Sequence, residues 1–123
     1  MTQFDFVKTQ GLGNDFVIVD CLADNPISGD LSKAALDLCD RHFGIGGDGL
    51  ILVLPSDVAD YRMQIINSDG SEAEMCGNGV RCFARYLFNR GLMGESVTVD
   101  TLAGIKKVVS SRMADESQAF RVD

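Results

Sequence analysis

The sequence contains no Cys-x-x-Cys pair, no long apolar run and no basic patch. Its four cysteines, Cys21, Cys39, Cys76 and Cys82, form no evident disulfide ladder, so they read as reduced thiols. The longest purely apolar run, residues 50–55, is far below the length that spans a bilayer. The first eight residues place an acid among apolar side chains and contain no continuous hydrophobic core of a signal peptide. Together these absences predict a cytoplasmic protein without a membrane partner. Eleven Lys and Arg against eighteen Asp and Glu give a formal net charge of -7, which repels nucleic acid and anionic membranes alike. Internal repeats and low-complexity linkers are also missing. What is present is a chain of 123 residues, 46% hydrophobic and 24% charged, which suits one soluble globular domain with a real core.

Residues 4–9 alternate apolar and polar as a half-buried strand does, and Gly11-Leu-Gly13-Asn14-Asp15 turns the chain into a second strand over 16–20. The pair predicts a hairpin. A helix is expected over 32–41 with Ser32 as its N-cap and Ala35, Leu38 and Cys39 facing inward. His42 lies near its end, where a histidine serves the helix C-terminus more often than catalysis. The glycine cluster 44–49 feeds a strand over 50–54 and lacks the Gly-Lys-Ser/Thr ending of a phosphate-binding loop. Close backbone packing is the reading there, with Asp48 bonding to loop amides. Further strands are expected over 61–67, 96–101, 105–110 and 119–123, with the third and second from last forming a hairpin and a polar turn at 114–118. Ending inside an alternating segment presents an unpaired edge.

The most informative stretch is Asn67-Ser-Asp-Gly-Ser-Glu-Ala-Glu-Met-Cys76-Gly-Asn-Gly-Val-Arg-Cys82. From Val80 the apolar residues fall at Val80, Phe83, Ala84, Leu87 and Phe88, one face of a helix, and Gly91 stops it. Cys76 therefore stands at or just before a helix N-terminus, where free N–H groups and the macrodipole favour a thiolate. Gly77, Asn78 and Gly79 offer consecutive N–H groups to a carboxylate or phosphate. With an amino-acid carboxylate bound there, Cα lies close to the sulfur, and the chemistry on offer is proton transfer at Cα. The competing reading is a buried structural cysteine beside a tight turn. Asn14 is likewise either a turn residue or a ligand-facing amide. Asp69, Glu72 and Glu74 oppose thiolate formation unless they point away or pair with Arg81 or Arg85. A zinc set of Cys39, His42, Cys76 and Cys82 has unusual spacing and ends inside a helix, so no metal is expected.

Three motifs, Phe6-x-Lys8-x-x-Gly11-x-Gly13-Asn14-Asp15-Phe16, Arg41-His-Phe-Gly-Ile-Gly-Gly-Asp48-Gly-Leu-Ile-Leu-Val53, and Asn67-Ser-Asp-Gly-Ser-Glu72 with Met75-Cys-Gly-Asn-Gly-Val-Arg-Cys-Phe-Ala-Arg85, make the chain resemble the N-terminal half of diaminopimelate epimerases. The resemblance covers essentially the whole chain. It implies an α+β fold in which a strongly curved mixed sheet wraps a central helix, residues 1–123 forming one of two similar domains. It implies a cofactor-independent, two-base interconversion of LL- and meso-diaminopimelate in lysine and peptidoglycan precursor synthesis. One cysteine takes the α-proton and a second returns one on the opposite face. Carried over by position, Cys76 is a catalytic base, Gly77 and Asn78 contact the reacting carboxylate end, and Asn14 and Asn67 contact substrate. The implied partners are an amino-acid substrate, a C-terminal epimerase domain and a second copy of the complete enzyme.

Two departures stand out. Some relatives have glutamine where this chain has Gly49, and nothing here matches the second catalytic cysteine. Cys82, six residues along a helix from Cys76, is badly placed in rotation and rise to act as that second cysteine. The chain alone is therefore expected to be inactive. A racemase of another amino acid, such as histidine, and a non-catalytic binding or assembly module are the alternatives.

Overall fold

The computed structural model describes residues 6–11, 13–27, 29–74, 77–112 and 118–122. Strands β1 (Val7–Gly11) and β2 (Asn14–Asp20) pair antiparallel, as the hairpin reading requires. Phe4 and Asp5, at the start of the expected first strand, lie outside the described residues. Helix α1 (Leu31–Leu38) then crosses to β3 (Gly49–Leu54), which runs parallel to β2. Strand β4 (Tyr61–Asn67) returns antiparallel to β3 and carries the short β5 (Glu72–Ala73). After helix α2 (Gly77–Asn89), β6 (Ser96–Thr101) lies parallel to β4, and β7 (Gly104–Arg112) and β8 (Gln118–Val122) extend the sheet antiparallel. The order is β1-β2-β3-β4-β6-β7-β8. Both outer strands, β1 and β8, touch α2, so the mixed sheet curls round that helix.

Burial explains why the strands read differently in sequence. In β2 and β3 both faces are covered. Phe16, Ile18, Ile51 and Val53 pack on α2 through Val80, Phe83, Ala84 and Leu87, while Val17, Val19, Leu50 and Leu52 pack on α1 through Ala35, Leu38 and Cys39. Double coverage produces continuous apolar runs. Strand β6 is covered on one side only and alternates, with Val97, Val99 and Thr101 buried.

Helix α1 differs from its expected span. Its N-cap is Asp30, whose carboxylate accepts the Ser32 N–H at 2.9 Å, so Ser32 sits inside the first turn. The helix ends at Leu38 rather than residue 41, because the following glycine loop folds back on it. Gly46 N–H and Gly47 N–H donate to the carbonyls of Leu38 and Cys39 at 3.0 and 3.2 Å. The fold-back leaves no space for a side chain at Gly44, where a Cβ would collide with the Asp37 carbonyl oxygen. Close backbone packing thus accounts for Gly44, whereas Gly46 is required by its left-handed backbone at φ 88°. The expected turn at 114–118 falls almost wholly outside the described residues.

Helix α2 ends as the sequence indicates. Gly91 adopts φ 71°, Leu92 N–H donates to the Leu87 carbonyl at 2.8 Å, and Gly91 N–H donates to that of Phe88 at 3.1 Å. These two bonds satisfy carbonyls the helix leaves open. Gly91→Ala should cost about 1–2 kcal/mol by placing a Cβ in the left-handed region, measured as a lower urea midpoint with unchanged slope.

The same helix holds Tyr86, whose hydroxyl donates to Asp20 Oδ2 at 2.8 Å. Burial, reinforced by that bond and by the Asp20 charge, pushes the phenol from its ordinary 10.0 up to about 12. The folded state therefore keeps a proton that the unfolded chain loses above pH 10, and stability falls as pH rises from 10 towards 12. Tyr86→Phe should lose roughly 1 kcal/mol at neutral pH and show a smaller further loss at alkaline pH. Urea midpoints at pH 8 and 11, compared between the two proteins, measure both effects.

Candidate functional site

Strand register brings three separated parts of the chain to one end of the sheet. Gly49 opens β3 between Phe16 near the start of β2 and Asn67 at the end of β4. Asn14, the first residue of β2, reaches across to the first turn of α2, where Asn78 Nδ2 donates to Asn14 Oδ1 at 2.7 Å. Asn14 and Asn78 therefore meet where α2 begins, and Asn67 stands at the same end of the sheet, opposite Gly49. Gly77 is the first residue of that helix, and a Cβ built on it would meet Arg81 Nη1 at 3.4 Å. The first four N–H groups of a helix have no intrahelical acceptor. Cys76, which directly precedes Gly77 in sequence, lies outside the described residues.

Behind the asparagines stands a charged network that the sequence reading found only in part. Asp48 bonds an amide of strand β2 rather than one of its own loop, accepting Asp15 N–H at Oδ2 over 2.8 Å, and Asp48 N–H donates to the Asp15 carbonyl at 2.7 Å. The Asn14 amide meets the same Oδ2 at 3.5 Å. Arg41, which sequence reading placed merely at a helix end, spans the two acids, with Nη1 3.2 Å from Asp15 Oδ2 and Nη2 3.3 Å from Asp48 Oδ1. The Asp15 N–H foremost, with the Asn14 amide and Arg41 helping, holds the Asp48 carboxyl below its usual range against the opposing effect of burial. Arg41 is held more firmly protonated, chiefly by its bond to Asp15. No sequence spacing signals this network, because its members come from three separate segments.

Asn67 is fixed in a similar way. Its Nδ2 donates to Ser71 Oγ at 3.1 Å, and the Ser71 hydroxyl donates to Asp69 Oδ1 at 2.6 Å. Ser71 Oγ and N–H together lower the Asp69 carboxyl. Glu72 is held by Gln64 Nε2 at 3.4 Å. Two of the three acids that crowd the cysteine loop thus have local partners. Arg81 instead donates through Nε to the Phe120 carbonyl at 3.3 Å, and the Arg85 guanidinium lies 5.2 Å from the Phe120 ring centroid.

The remaining thiols belong to the core. Cys21, Cys39 and Cys82 are buried and not in disulfides. Burial holds Cys21 near 11 and pushes Cys39 upward, the opposite of an activated thiol. Cys39 and Cys82 pack in cores on opposite faces of the sheet, which separates two of the four residues weighed for zinc. His42 is exposed in the loop after α1. Gly49 leaves little space for any side chain: a Cβ there would stand 3.2 Å from the Ile66 carbonyl oxygen and 3.3 Å from the Phe16 ring. No described helix is long and apolar enough to cross a membrane.

Comparison with known proteins matches residues 6–121 to the model of the family described as "Diaminopimelate epimerase". The diaminopimelate epimerase of Desulfitobacterium hafniense is 53% identical over 121 residues, 97% of this chain and 43% of the relative. That of Moorella thermoacetica is 60% identical over 103 residues, 83% of this chain and 37% of the relative. The chain thus spans well under half the length of these relatives. Among solved structures, a Bacillus anthracis phenazine biosynthesis protein of the PhzF family superposes with a TM-score of 0.73 at 26% identity, over 97% of this chain and 38% of its own. A hydroxyproline epimerase from Agrobacterium vitis, solved with bound trans-4-hydroxy-L-proline, gives 0.66 at 18% identity, over 95% and 40% of the two chains. The curled mixed sheet is the fold these proteins share.

Proposed function

We propose, from the premise that this chain belongs to the diaminopimelate epimerase family, that it is the N-terminal half of an enzyme interconverting LL- and meso-diaminopimelate. The observation that carries the reading is the hydrogen bond between Asn14 and Asn78 at the first turn of the helix that Cys76 precedes, with Asn67 at the end of the strand paired to Gly49. The N–H groups of Gly77 and Asn78 bind the substrate carboxylate. The Cys76 thiolate removes the α-proton, its sulfur becoming a thiol, and the electron pair left on Cα spreads into the carboxylate, where the N–H groups stabilise it. A thiol from a second domain then protonates Cα on the opposite face and is left as thiolate. Proton and charge balance without a cofactor. The helix N-terminus, with the Arg81 guanidinium beside Gly77, supplies positive potential that favours the Cys76 thiolate.

The reading requires a C-terminal domain to close the pocket, and the complete enzyme is proposed to form a homodimer in the cytoplasm. The chain alone is expected to turn over no LL-diaminopimelate, because the second acid is missing. The test is a chimera in which residues 1–123 replace the matching segment of the Desulfitobacterium hafniense relative. Interconversion of LL- and meso-diaminopimelate is the expected result. A folded chimera that leaves both isomers unchanged would overturn the reading.

A further inference from the structure

We propose that Asp48 is a positioning residue whose carboxylate, held by Arg41 and the Asp15 amide, fixes which way the side chains of Asn14 and Asn78 face, so that Asn78 presents a carbonyl oxygen to the substrate's ammonium group. The inference rests on the epimerase reading above and deepens it. An ionised carboxylate only accepts hydrogen bonds. Asp48 Oδ2 takes the Asp15 N–H at 2.8 Å, and the Asn14 side chain stands 3.5 Å from that oxygen. Only the NH2 end of Asn14 is tolerated there, since a carbonyl would set two acceptors face to face. Asn14 Oδ1 is thereby turned to Asn78, whose Nδ2 donates to it at 2.7 Å. The amino end of Asn78 is engaged and its Oδ1 is left over. Among the described residues, no donor reaches that oxygen.

The resulting polarity suits a zwitterion. Helix N–H groups favour the carboxylate of an amino acid, and an acceptor in the first turn favours its ammonium group. A reversed relay would offer the ammonium another donor. Arg41 is 52% exposed in its side chain, so its ion pairs contribute little to stability. Its consequence is to occupy Asp48 Oδ1 and leave Oδ2 for Asn14.

This arrangement makes Asp48→Asn a sharper test than a truncation. The new amide must either turn its NH2 toward Arg41 or turn it toward the Asp15 N–H and the Asn14 NH2; both place donor against donor. In the chimera, Asp48→Asn should lower kcat/KM on the order of ten-fold, mainly through KM, because the ammonium contact exists before and during proton transfer. Removing Arg41 as well should restore activity. In Arg41→Ala/Asp48→Asn the amide is free to turn its oxygen to Asn14 and its NH2 to water, so kcat/KM should rise above that of Asp48→Asn alone. A purely structural role predicts the reverse, since the second substitution removes another contact. A double variant as poor as the single one, or a single variant equal to the parent, would overturn the proposal.

A second arm does not depend on turnover. In the 123-residue chain, the side-chain amide NMR signals of both Asn14 and Asn78 should shift in Asp48→Asn and return toward their original positions in the double variant. Signals unmoved by Asp48→Asn would also overturn the relay. An inactive parent chimera counts against the epimerase reading, whereas an active parent with unmoved signals counts against the relay alone.

Discussion

Cys76→Ala in the active chimera should lower kcat on the order of 10⁴-fold while leaving KM within a few-fold of the parent. Removing a positioned acid or base costs about 10²- to 10⁴-fold, and the upper end applies because no other described thiol is equipped to replace this one. Cys21 is held near 11 by burial, and Cys82 is buried in the core on α2 itself. The N–H groups of Gly77 and Asn78 survive the substitution, so carboxylate binding should persist and the loss should appear in kcat. Cys76→Ser should behave nearly as badly, since a serine hydroxyl is a far weaker acid than a thiol and supplies almost no oxyanion at neutral pH. Steady-state rates in both directions, with the melting temperature measured alongside, check the result. A kcat within ten-fold of the parent would remove Cys76 from the mechanism.

The largest expected effect on stability is at Phe83. Its side chain is fully buried on the inner face of α2, within the cluster that includes Ile18, Ile51, Val99 and Val108. Phe83→Ala removes most of a ring and leaves a cavity, which typically costs 3–5 kcal/mol, roughly. Set against a total of about 5–15 kcal/mol for a domain, that loss threatens folding at ordinary temperature. A melting temperature lower by roughly 10 °C or more is expected. Phe83→Leu, which keeps much of the volume, should cost distinctly less. Leu102→Ala serves as the contrast: Leu102 is 54% exposed, and its truncation should change stability by about 0.5 kcal/mol or less. The site depends on the same packing, because α2 sets where Gly77 and Asn78 sit relative to the strand ends.

The parts of this architecture readable from sequence are those governed by periodicity. The Val80, Phe83, Ala84, Leu87, Phe88 stripe announces α2; the first four are buried and Phe88 is partly buried against the same core. Period-two alternation found β6 and β7, and the apolar runs found β2 and β3. What escaped depends on long-range contacts. Strand β5 is only two residues long and exists because β4 is there to pair with it, so it has no pattern of its own. The end of α1 was misplaced because it is decided by hydrogen bonds from Gly46 and Gly47, not by residues within the helix. At the site, Asn14, Asn67, Gly77 and Asn78 were singled out one by one, yet the bond between Asn14 and Asn78 joins residues 64 apart in sequence. Arg41 was overlooked for the same reason. Its partners Asp15 and Asp48 lie on different strands or their approaches, and only the parallel pairing of β2 with β3 brings them together.

The central claim, that two bases on opposite faces of Cα carry the reaction and Cys76 is one of them, makes a distinctive isotopic prediction. LL-diaminopimelate would be incubated with the chimera in deuterium oxide, stopped at low conversion, and both isomers analysed for deuterium at the reacting Cα. A thiol already equilibrated with solvent delivers deuterium to the product, while reversal of the first step returns the original proton to the substrate. Meso product should therefore be labelled before the recovered LL substrate, and Cys76→Ala should label neither. Equal labelling of both isomers from the start, or undiminished labelling in Cys76→Ala, would contradict the account.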